Sequence, residues 1–123
     1  KIIEMEKKKT GMLFSFCCIA PAIIKNKKNL ELKFFENIGS DIGLLFQISD
    51  DLIDYRGNSK IAGKKTGKDQ KKGKATLINL LGYNNAVKYC NNLVINITGK
   101  LKKYGSNSKK IKQTLEYILN RDR

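Results

Sequence analysis

The chain has 123 residues, of which 41% are hydrophobic, so it is long enough for one domain or part of one. Its net charge of +14 comes from 22 Lys and only 3 Arg against 11 acidic residues. Such a charge is typical of nucleic-acid-binding proteins, but base recognition favours Arg, and these lysines are scattered through every segment. We therefore expect no nucleic-acid partner. The longest apolar run, Met12 to Ile24, is too short and too interrupted for stable membrane insertion.

Hydrophobic spacing predicts an all-α chain. A first helix is expected over about residues 1–25, with Pro21 kinking or closing its last turn. A second helix follows, which Asn29 could cap and which runs to about Tyr55. A loop then extends to about Lys74.

Three further helices are predicted in the second half of the chain. A short helix over 76–81 ends at Gly82, and a longer one over 83–104 ends at Gly105. The last helix covers about 108–120. The apolar stripes of the two longer helices predict ordinary core packing, so we assign them no ligand.

Three carboxylates, those of Asp50, Asp51 and Asp54, follow an apolar helical pattern. At about 100° per residue, Asp50 and Asp54 lie about 40° apart on a helix, with Asp51 on the neighbouring flank. We expect all three to point into one small volume, which suits Mg²⁺ because this ion prefers oxygen ligands and keeps several waters. The alternative is a solvated acidic turn at the end of the helix, although acidic groups there oppose the helix dipole.

A stretch rich in glycine and lysine runs from Tyr55 to Ala75, and its low apolar content predicts a loop. Ammonium and backbone N–H groups in such a loop can surround a polyanion. The P-loop spacing Gly-x-x-x-x-Gly-Lys-Ser/Thr is absent, which disfavours a nucleotide site of that kind. Together with the aspartates, the loop predicts a diphosphate held through Mg²⁺ on one side and by lysines on the other.

The three cysteines carry little information about chemistry. Cys17 and Cys18 are adjacent, Cys90 stands alone, and the chain has neither a C-x-x-C spacing nor any His, which argues against a zinc site. Their apolar surroundings predict buried, reduced thiols in a cytoplasmic protein. The lack of His also excludes an imidazole base within this chain.

Residues 46–54, Phe-Gln-Ile-Ser-Asp-Asp-Leu-Ile-Asp, resemble the second aspartate-rich motif of the trans-isoprenyl diphosphate synthases, the farnesyl and geranylgeranyl diphosphate synthase family. The glycines and lysines of 63–76 look like the loop that follows that motif in the family. Residues 9–11, Lys-Thr-Gly, resemble the Lys-Thr step of the preceding helix, and 117–123 are similar to the end of bacterial short-chain members. A single DDxxD is weak because terpene cyclases use similar motifs, but the ordered set is specific.

The resemblance implies roles for particular residues. The carboxylates that would hold Mg²⁺ against the diphosphate of an allylic substrate are those of Asp50, Asp51 and Asp54. The lysines that would contact this diphosphate or line its site are Lys9, Lys64 and Lys74. The positions around the allylic tail and its head group are Thr10, Phe46 and Gln47. Catalysis would depend on the carboxylates together with Lys9 and Lys64.

The resemblance also implies a fold and an activity. The fold is the C-terminal part of an isoprenoid-synthase-type helical bundle, in an enzyme expected to be a homodimer. The activity is that of a prenyltransferase: an allylic diphosphate ionises, isopentenyl diphosphate attacks the cation, and loss of a proton yields farnesyl or geranylgeranyl diphosphate. Family members carry a first aspartate-rich motif in an earlier half, and no second DDxxD or DDxxxxD occurs here.

We therefore interpret residues 1–123 as the C-terminal portion of a single polyprenyl synthetase domain whose N-terminal half is absent. This portion is expected to lack turnover alone. Two alternatives stay open. One is a non-elongating diphosphate-binding homologue, such as a terpene cyclase or a regulatory subunit. The other is a basic helical module that binds RNA or an anionic membrane.

Overall fold

The computed structural model describes residues 1–62 and 76–121, and this part of the chain is helical and contains no strand. A π-helical turn (Lys7–Gly11) joins the first two α-helices, and a 3-10 helix (Lys102–Ser108) joins the last two. The α-helices of the described residues are α1 (Ile2–Glu6), α2 (Met12–Ile24), α3 (Asn29–Ala62), α4 (Leu77–Leu81), α5 (Tyr83–Leu101) and α6 (Lys109–Asn120). The all-α prediction is confirmed.

The π-helical turn is a feature that the sequence analysis missed. The predicted first helix does run from Ile2 to Ile24, and Pro21 lies in its last turn. Within it, the hydrogen bonding changes to the wider π pattern at Lys7–Gly11. Such turns change the direction of nearby side chains and are frequent at functional sites.

Helix α3 is longer than predicted, because it ends at Ala62 and not near Tyr55. The ring of Tyr55 stacks on the ring of Tyr83 from α5 at a centroid distance of 5.6 Å, which supports the extra turns. Gly57 costs a helix about 1 kcal/mol relative to Ala, and an aromatic pair contributes about 0.5–1.5 kcal/mol, so the two are of similar size. The carboxylates of 50–54 therefore lie in the helix interior, and the alternative of an acidic turn at a helix end is wrong.

Asn29 is the first residue of α3 and not its cap, which corrects a second boundary. The first backbone bonds of the helix run to the carbonyl oxygen of Lys28, from the N–H groups of Glu31 at 2.9 Å and Leu32 at 3.0 Å. Lys28 thus occupies the cap position. The short turn before it includes Asn26 with a positive φ of 51°, a conformation that Asn tolerates better than most residues.

Helices α2 and α3 pack as an antiparallel pair whose backbones approach closely at two glycines. A Cβ atom at Gly39 would lie 2.5 Å from the carbonyl oxygen of Phe14. A Cβ atom at Gly43 would lie 2.6 Å from the Cα of Gly11, in the π-helical turn. Both distances are below any van der Waals contact, so only glycine fits. The π-helical turn is thereby pressed against α3 about two turns before the aspartates.

The opposite side of α3 packs against α5 and α6 through a conventional apolar core. A buried hydrogen bond of 2.7 Å from the Ser49 hydroxyl to the carbonyl oxygen of Ile118 fixes α6 to α3. The largest fully buried apolar side chains among the described residues are Ile38, Leu44, Leu45, Ile48, Leu77, Cys90, Ile97, Leu101 and Leu115.

The remaining boundaries are close to those predicted. Helix α4 begins after Thr76, whose hydroxyl accepts a 3.3 Å hydrogen bond from the N–H of Asn79, and it ends at Gly82 with a positive φ of 81°. Helix α5 ends three residues earlier than expected, because the chain tightens into the 3-10 helix. That helix contains Gly105 at φ 55° and ψ −130°, whose carbonyl oxygen accepts from the Ser108 hydroxyl at 2.7 Å.

The cysteines differ in their environment. Cys90 is buried and Cys18 is partly buried, but Cys17 is exposed, so the prediction of buried thiols is wrong for Cys17. Burial, followed by the neighbouring Cys17, raises the pKa of Cys18. Within the described residues, the helices lack the combined length and apolar character that crossing a membrane requires.

Candidate functional site

Several residues that the sequence analysis selected meet where the π-helical turn contacts α3. The hydroxyl of Thr10 donates a 3.0 Å hydrogen bond to Oε1 of Gln47, and Nε2 of Gln47 donates a longer one, 3.4 Å, to Oδ1 of Asp51. Gln47 is buried, with 7% of its surface exposed. This chain of contacts connects the π-helical turn to the Asp51 carboxylate through the buried amide of Gln47.

The surroundings of Asp51 disfavour its charged form. Burial raises the pKa of Asp51 above its ordinary value of 3.8, and the charges of Asp50 and Asp54 add to the increase. The hydrogen bond from Gln47 and the charge of Lys9 act in the opposite direction but do not cancel it. The ammonium group of Lys9 therefore lies near enough to Asp51 to interact with it, although the Lys9 residue is exposed. An added cation would relieve the remaining penalty.

Asp50 contacts a residue from the end of α6. A terminal nitrogen of Arg121 lies 3.0 Å from Oδ1 of Asp50. The guanidinium carbon of the same arginine lies 4.4 Å from the ring centroid of Phe46, a cation–π arrangement. The ring of Phe46 also packs against that of Phe14 at 5.5 Å. An arginine and two aromatic rings thus border the aspartates.

The expectation that the three carboxylates share one small volume is not met. Within residues 1–62 and 76–121, no three acidic, His or Cys side chains are grouped closely enough to hold a metal ion. Like charges repel, and the carboxylates have different surroundings: Asp50 contacts Arg121, Asp51 contacts Gln47, and Asp54 is exposed. The residues still fit Mg²⁺, which needs only one or two carboxylates alongside waters and phosphate oxygens.

Two of the predicted lysines, Lys64 and Lys74, lie outside the described residues, as does the rest of the glycine- and lysine-rich segment at 63–75. Their roles stay predictions. The described part of the site therefore has two residues on the π-helical turn, Lys9 and Thr10, and Arg121 at its border. The rest lie on α3: Phe46, Gln47, Asp50, Asp51 and Asp54.

Asp41 is a residue near the site that the sequence analysis missed. The Asp41 side chain is 17% exposed and forms salt bridges with Nζ of Lys7 at 3.3 Å and Nζ of Lys100 at 3.0 Å. Asp41 thus connects the π-helical turn and α5 to α3. These partners lie 34 and 59 residues from Asp41 in sequence. No local spacing predicts such contacts, and nothing distinguishes Lys7 and Lys100 from the other lysines before the chain is folded.

The comparison with protein families decides the identity. The model of the polyprenyl synthetase family matches residues 1–118. The chain belongs to the polyprenyl synthetase family. This confirms the resemblance that the motif at 46–54 indicated.

Curated relatives of this polyprenyl synthetase agree with that result. Farnesyl diphosphate synthase of Micrococcus luteus is 30% identical over 115 residues, which cover 94% of this chain and 40% of the relative. Farnesyl diphosphate synthase of Escherichia coli is 29% identical over 124 residues, which cover 98% of this chain and 42% of the relative. Geranylgeranyl pyrophosphate synthase of Geoglobus acetivorans is 43% identical over 76 residues, covering 62% and 24%. The chain spans about two fifths of the length of the first two relatives.

Proposed function

We propose that this polyprenyl synthetase chain forms the part of a prenyltransferase that binds the diphosphate of an allylic substrate through Mg²⁺. The complete enzyme would condense that substrate head to tail with isopentenyl diphosphate and release farnesyl or geranylgeranyl diphosphate. Support comes from the family and from relatives named farnesyl diphosphate synthase and geranylgeranyl pyrophosphate synthase. In this proposal the chain is the C-terminal portion of one synthetase domain and would not turn over substrate alone.

The observation that carries the proposal is the contact between the π-helical turn and α3. It brings the ammonium group of Lys9 into electrostatic contact with Asp51, and it connects Thr10 to the same carboxylate through Gln47. A group of carboxylates with an ammonium group nearby suits a metal-bound polyanion, because each charge then has an opposite partner.

The residues of this site have separable roles in the proposal. Asp50, Asp51 and Asp54 would hold Mg²⁺, one or two of them directly and the rest through bound waters. The bound ion would supply positive charge against the charge that develops on the departing diphosphate. Lys9 would be a second cation, supplied by the π-helical turn. The adjoining rings of Phe14 and Phe46 form an apolar wall that keeps water from a carbocation.

Other parts of the proposal reach beyond the described residues. Lys64 and Lys74 would approach the diphosphate from the segment at 63–75, and Lys64→Ala would weaken binding where Lys102→Ala would not. A homodimer, a cytoplasmic location and the lack of a nucleic-acid partner stay predictions.

The proposal is tested by calorimetric titration of the 123-residue chain with inorganic diphosphate, with and without Mg²⁺. Uptake should depend on Mg²⁺. Asp50→Asn and Lys9→Ala should each weaken it by about tenfold or more, because each removes a charged partner worth about 1.5–3 kcal/mol. Lys8→Ala is a matched control on the same turn, since its exposed ammonium group pairs with Glu4 at 3.4 Å, and it should change little.

Two results would contradict the proposal. One is diphosphate uptake that is absent or indifferent to Mg²⁺. The other is strong, salt-dependent RNA binding that Mg²⁺ does not affect, which would favour the basic-module alternative. In an enzyme that also contains the N-terminal half, Asp50→Ala should lower turnover by orders of magnitude.

A further inference from the structure

Arg121 borders the site but has no role in the proposed function. It directly follows α6, and its backbone N–H donates to the carbonyl oxygen of Tyr117 at 2.9 Å. Helix α6 is itself fixed to α3 by the buried bond from Ser49 to Ile118. The side chain of Arg121 is 18% exposed, so its position beside Asp50 is set by the packing of two helices and is not that of a free surface residue.

The guanidinium group of Arg121 has unused hydrogen-bonding capacity. One terminal nitrogen donates to Asp50, while Nε is buried and has no partner within the described residues. The cation–π contact with Phe46 keeps the group at the site without using any N–H donor. A guanidinium carries several such donors in a planar fork, and this fork matches phosphate oxygens well.

Arg121 and a metal ion would compete for Asp50. The arginine occupies Oδ1, an oxygen of a carboxylate assigned to Mg²⁺ in the proposed function. Two cations at one carboxylate repel each other, so a metal ion at Asp50 would weaken its ion pair with the guanidinium and favour displacement of that group. The displaced group would then lie beside the metal-bound anion, still held by Phe46 and by the end of α6.

We propose, on the basis of the proposed function, that Arg121 neutralises Asp50 in the metal-free site and donates to the diphosphate once metal takes that carboxylate. Arg121 therefore opposes binding of the metal alone and favours binding of the metal with diphosphate. This makes the metal and the anion bind together. A salt bridge that only supports the fold would affect both kinds of binding in the same direction.

The test uses the 123-residue chain and two titrations, Mn²⁺ alone followed by paramagnetic resonance and inorganic diphosphate with Mg²⁺ followed by calorimetry. Arg121→Gln should tighten Mn²⁺ binding by about three- to tenfold, because an opposing ion pair is removed. It should weaken Mg²⁺-dependent diphosphate binding by about tenfold or more. Arg121→Lys, which keeps the charge but not the fork, should give Mn²⁺ binding near that of the parent and an intermediate affinity for diphosphate.

Two further variants make the result specific. Lys109→Gln removes the same charge at the other end of α6, about 18 Å away at about 1.5 Å per residue, and should change neither titration. In an Asp50→Asn background, Arg121→Gln should no longer tighten Mn²⁺ binding, because the carboxylate for which they compete is gone.

The outcomes separate the two proposals. If the parent chain binds Mn²⁺ and Mg²⁺-dependent diphosphate but Arg121→Gln shifts both affinities in one direction, or neither, the role of Arg121 is wrong and the proposed function stands. If the parent chain binds neither, the proposed function fails and the role of Arg121 fails with it. If circular dichroism shows that Arg121→Gln does not fold, Arg121→Lys is the deciding variant. A fall in its diphosphate affinity with unchanged Mn²⁺ affinity supports the role of Arg121, and any other result contradicts it.

Discussion

The two sides of α3 are packed by different means. On one side, α2 and the π-helical turn approach the helix through Gly39 and Gly43, and polar groups such as Thr10 and Gln47 meet across the contact. On the other side, α5 and α6 contribute fully buried aliphatic side chains, for example Ile97 and Leu115. The first side places the proposed site residues, and the second supplies most of the apolar burial.

The difference separates what stabilises the fold from what positions the proposed site residues. Apolar burial depends on area and tolerates changes of shape, so the α5–α6 side can hold the fold without specifying any one contact. On the glycine side the backbones are so close that an added Cβ would clash: at Gly43 it would lie 2.6 Å from the Cα of Gly11. We therefore expect core substitutions to change stability alone and glycine-side substitutions to change both stability and ligand binding.

The largest expected effect is on the core side. Leu115→Ala removes a side chain that is 0% exposed, and it should lower the free energy of unfolding by about 2–5 kcal/mol. Diphosphate affinity of the molecules that remain folded should be unchanged, because Leu115 is not a contact of the proposed site. Denaturant unfolding and calorimetry measure the two quantities. Ile95→Ala, at an exposed position of α5, is the control and should cost less than about 0.5 kcal/mol.

A lower affinity in folded Leu115→Ala would break the comparison. It would mean that the α6 side also places the ligand, for instance by moving Arg121, which directly follows the same helix.

A smaller loss of stability is expected at Gly43. A methyl group there would displace the π-helical turn at Gly11, at a cost of about 1–3 kcal/mol. Because Thr10 is part of that turn, Mg²⁺-dependent diphosphate binding should weaken as well. Gly57→Ala is the matched control in the same helix, because a Cβ there would meet none of the described atoms within 4 Å. It should stabilise the protein by up to about 1 kcal/mol and leave binding unchanged.

If Gly43→Ala folded and bound diphosphate with the affinity of the parent chain, the close backbone approach would not be what places Thr10. The hydrogen bond to Gln47 would then have to tolerate a shift of the turn.

How much of the fold could be predicted from the sequence follows from which contacts are local. Helix spacing repeats about every 3.6 residues, so each α-helix of the described residues overlaps a predicted helix, although α1 and α2 were predicted as one. The π-helical turn falls on Lys7–Gly11, a stretch without apolar side chains, so no hydrophobic spacing reveals the change of hydrogen bonding there. The extra length of α3 was missed because Gly57 and its polar neighbours are typical of a loop, whereas the stacking of Tyr55 on Tyr83 is a tertiary contact.

The candidate site divides in the same way. Asp50, Asp51 and Asp54 are marked by their spacing on one helix, and Lys9 and Thr10 by a resemblance to a motif. Their separate environments could not be predicted, since the partner of Asp50 lies 71 residues further along the chain. Arg121 was part of a recognised terminal stretch, but its contact with Asp50 requires α6 to be folded onto α3.

The smallest expected effect is at the site itself, where burying the Asp51 carboxylate lowers the stability of the folded chain. Burial, the largest cause, raises the pKa of Asp51 in the folded chain above the ordinary value of 3.8. Below that value both states hold the proton. As the pH rises towards the folded pKa, the unfolded state ionises first, so the folded state loses stability and the loss persists at higher pH. Asp51→Asn removes this titration.

Asp51→Asn should therefore be more stable than the parent chain at about pH 7, and the gain should shrink at about pH 3.5. Because the carboxylate is partly exposed and solvent screens its charge, we expect less than about 1 kcal/mol. Thermal unfolding in chelator measures the gain, and calorimetry should show that Mg²⁺-dependent diphosphate binding falls in the same variant. Lower stability of Asp51→Asn at neutral pH would mean that Lys9 and Gln47 stabilise the ionised carboxylate more than burial penalises it. The aspartates would then need no added cation, and the argument for a metal at this site would lose its electrostatic basis.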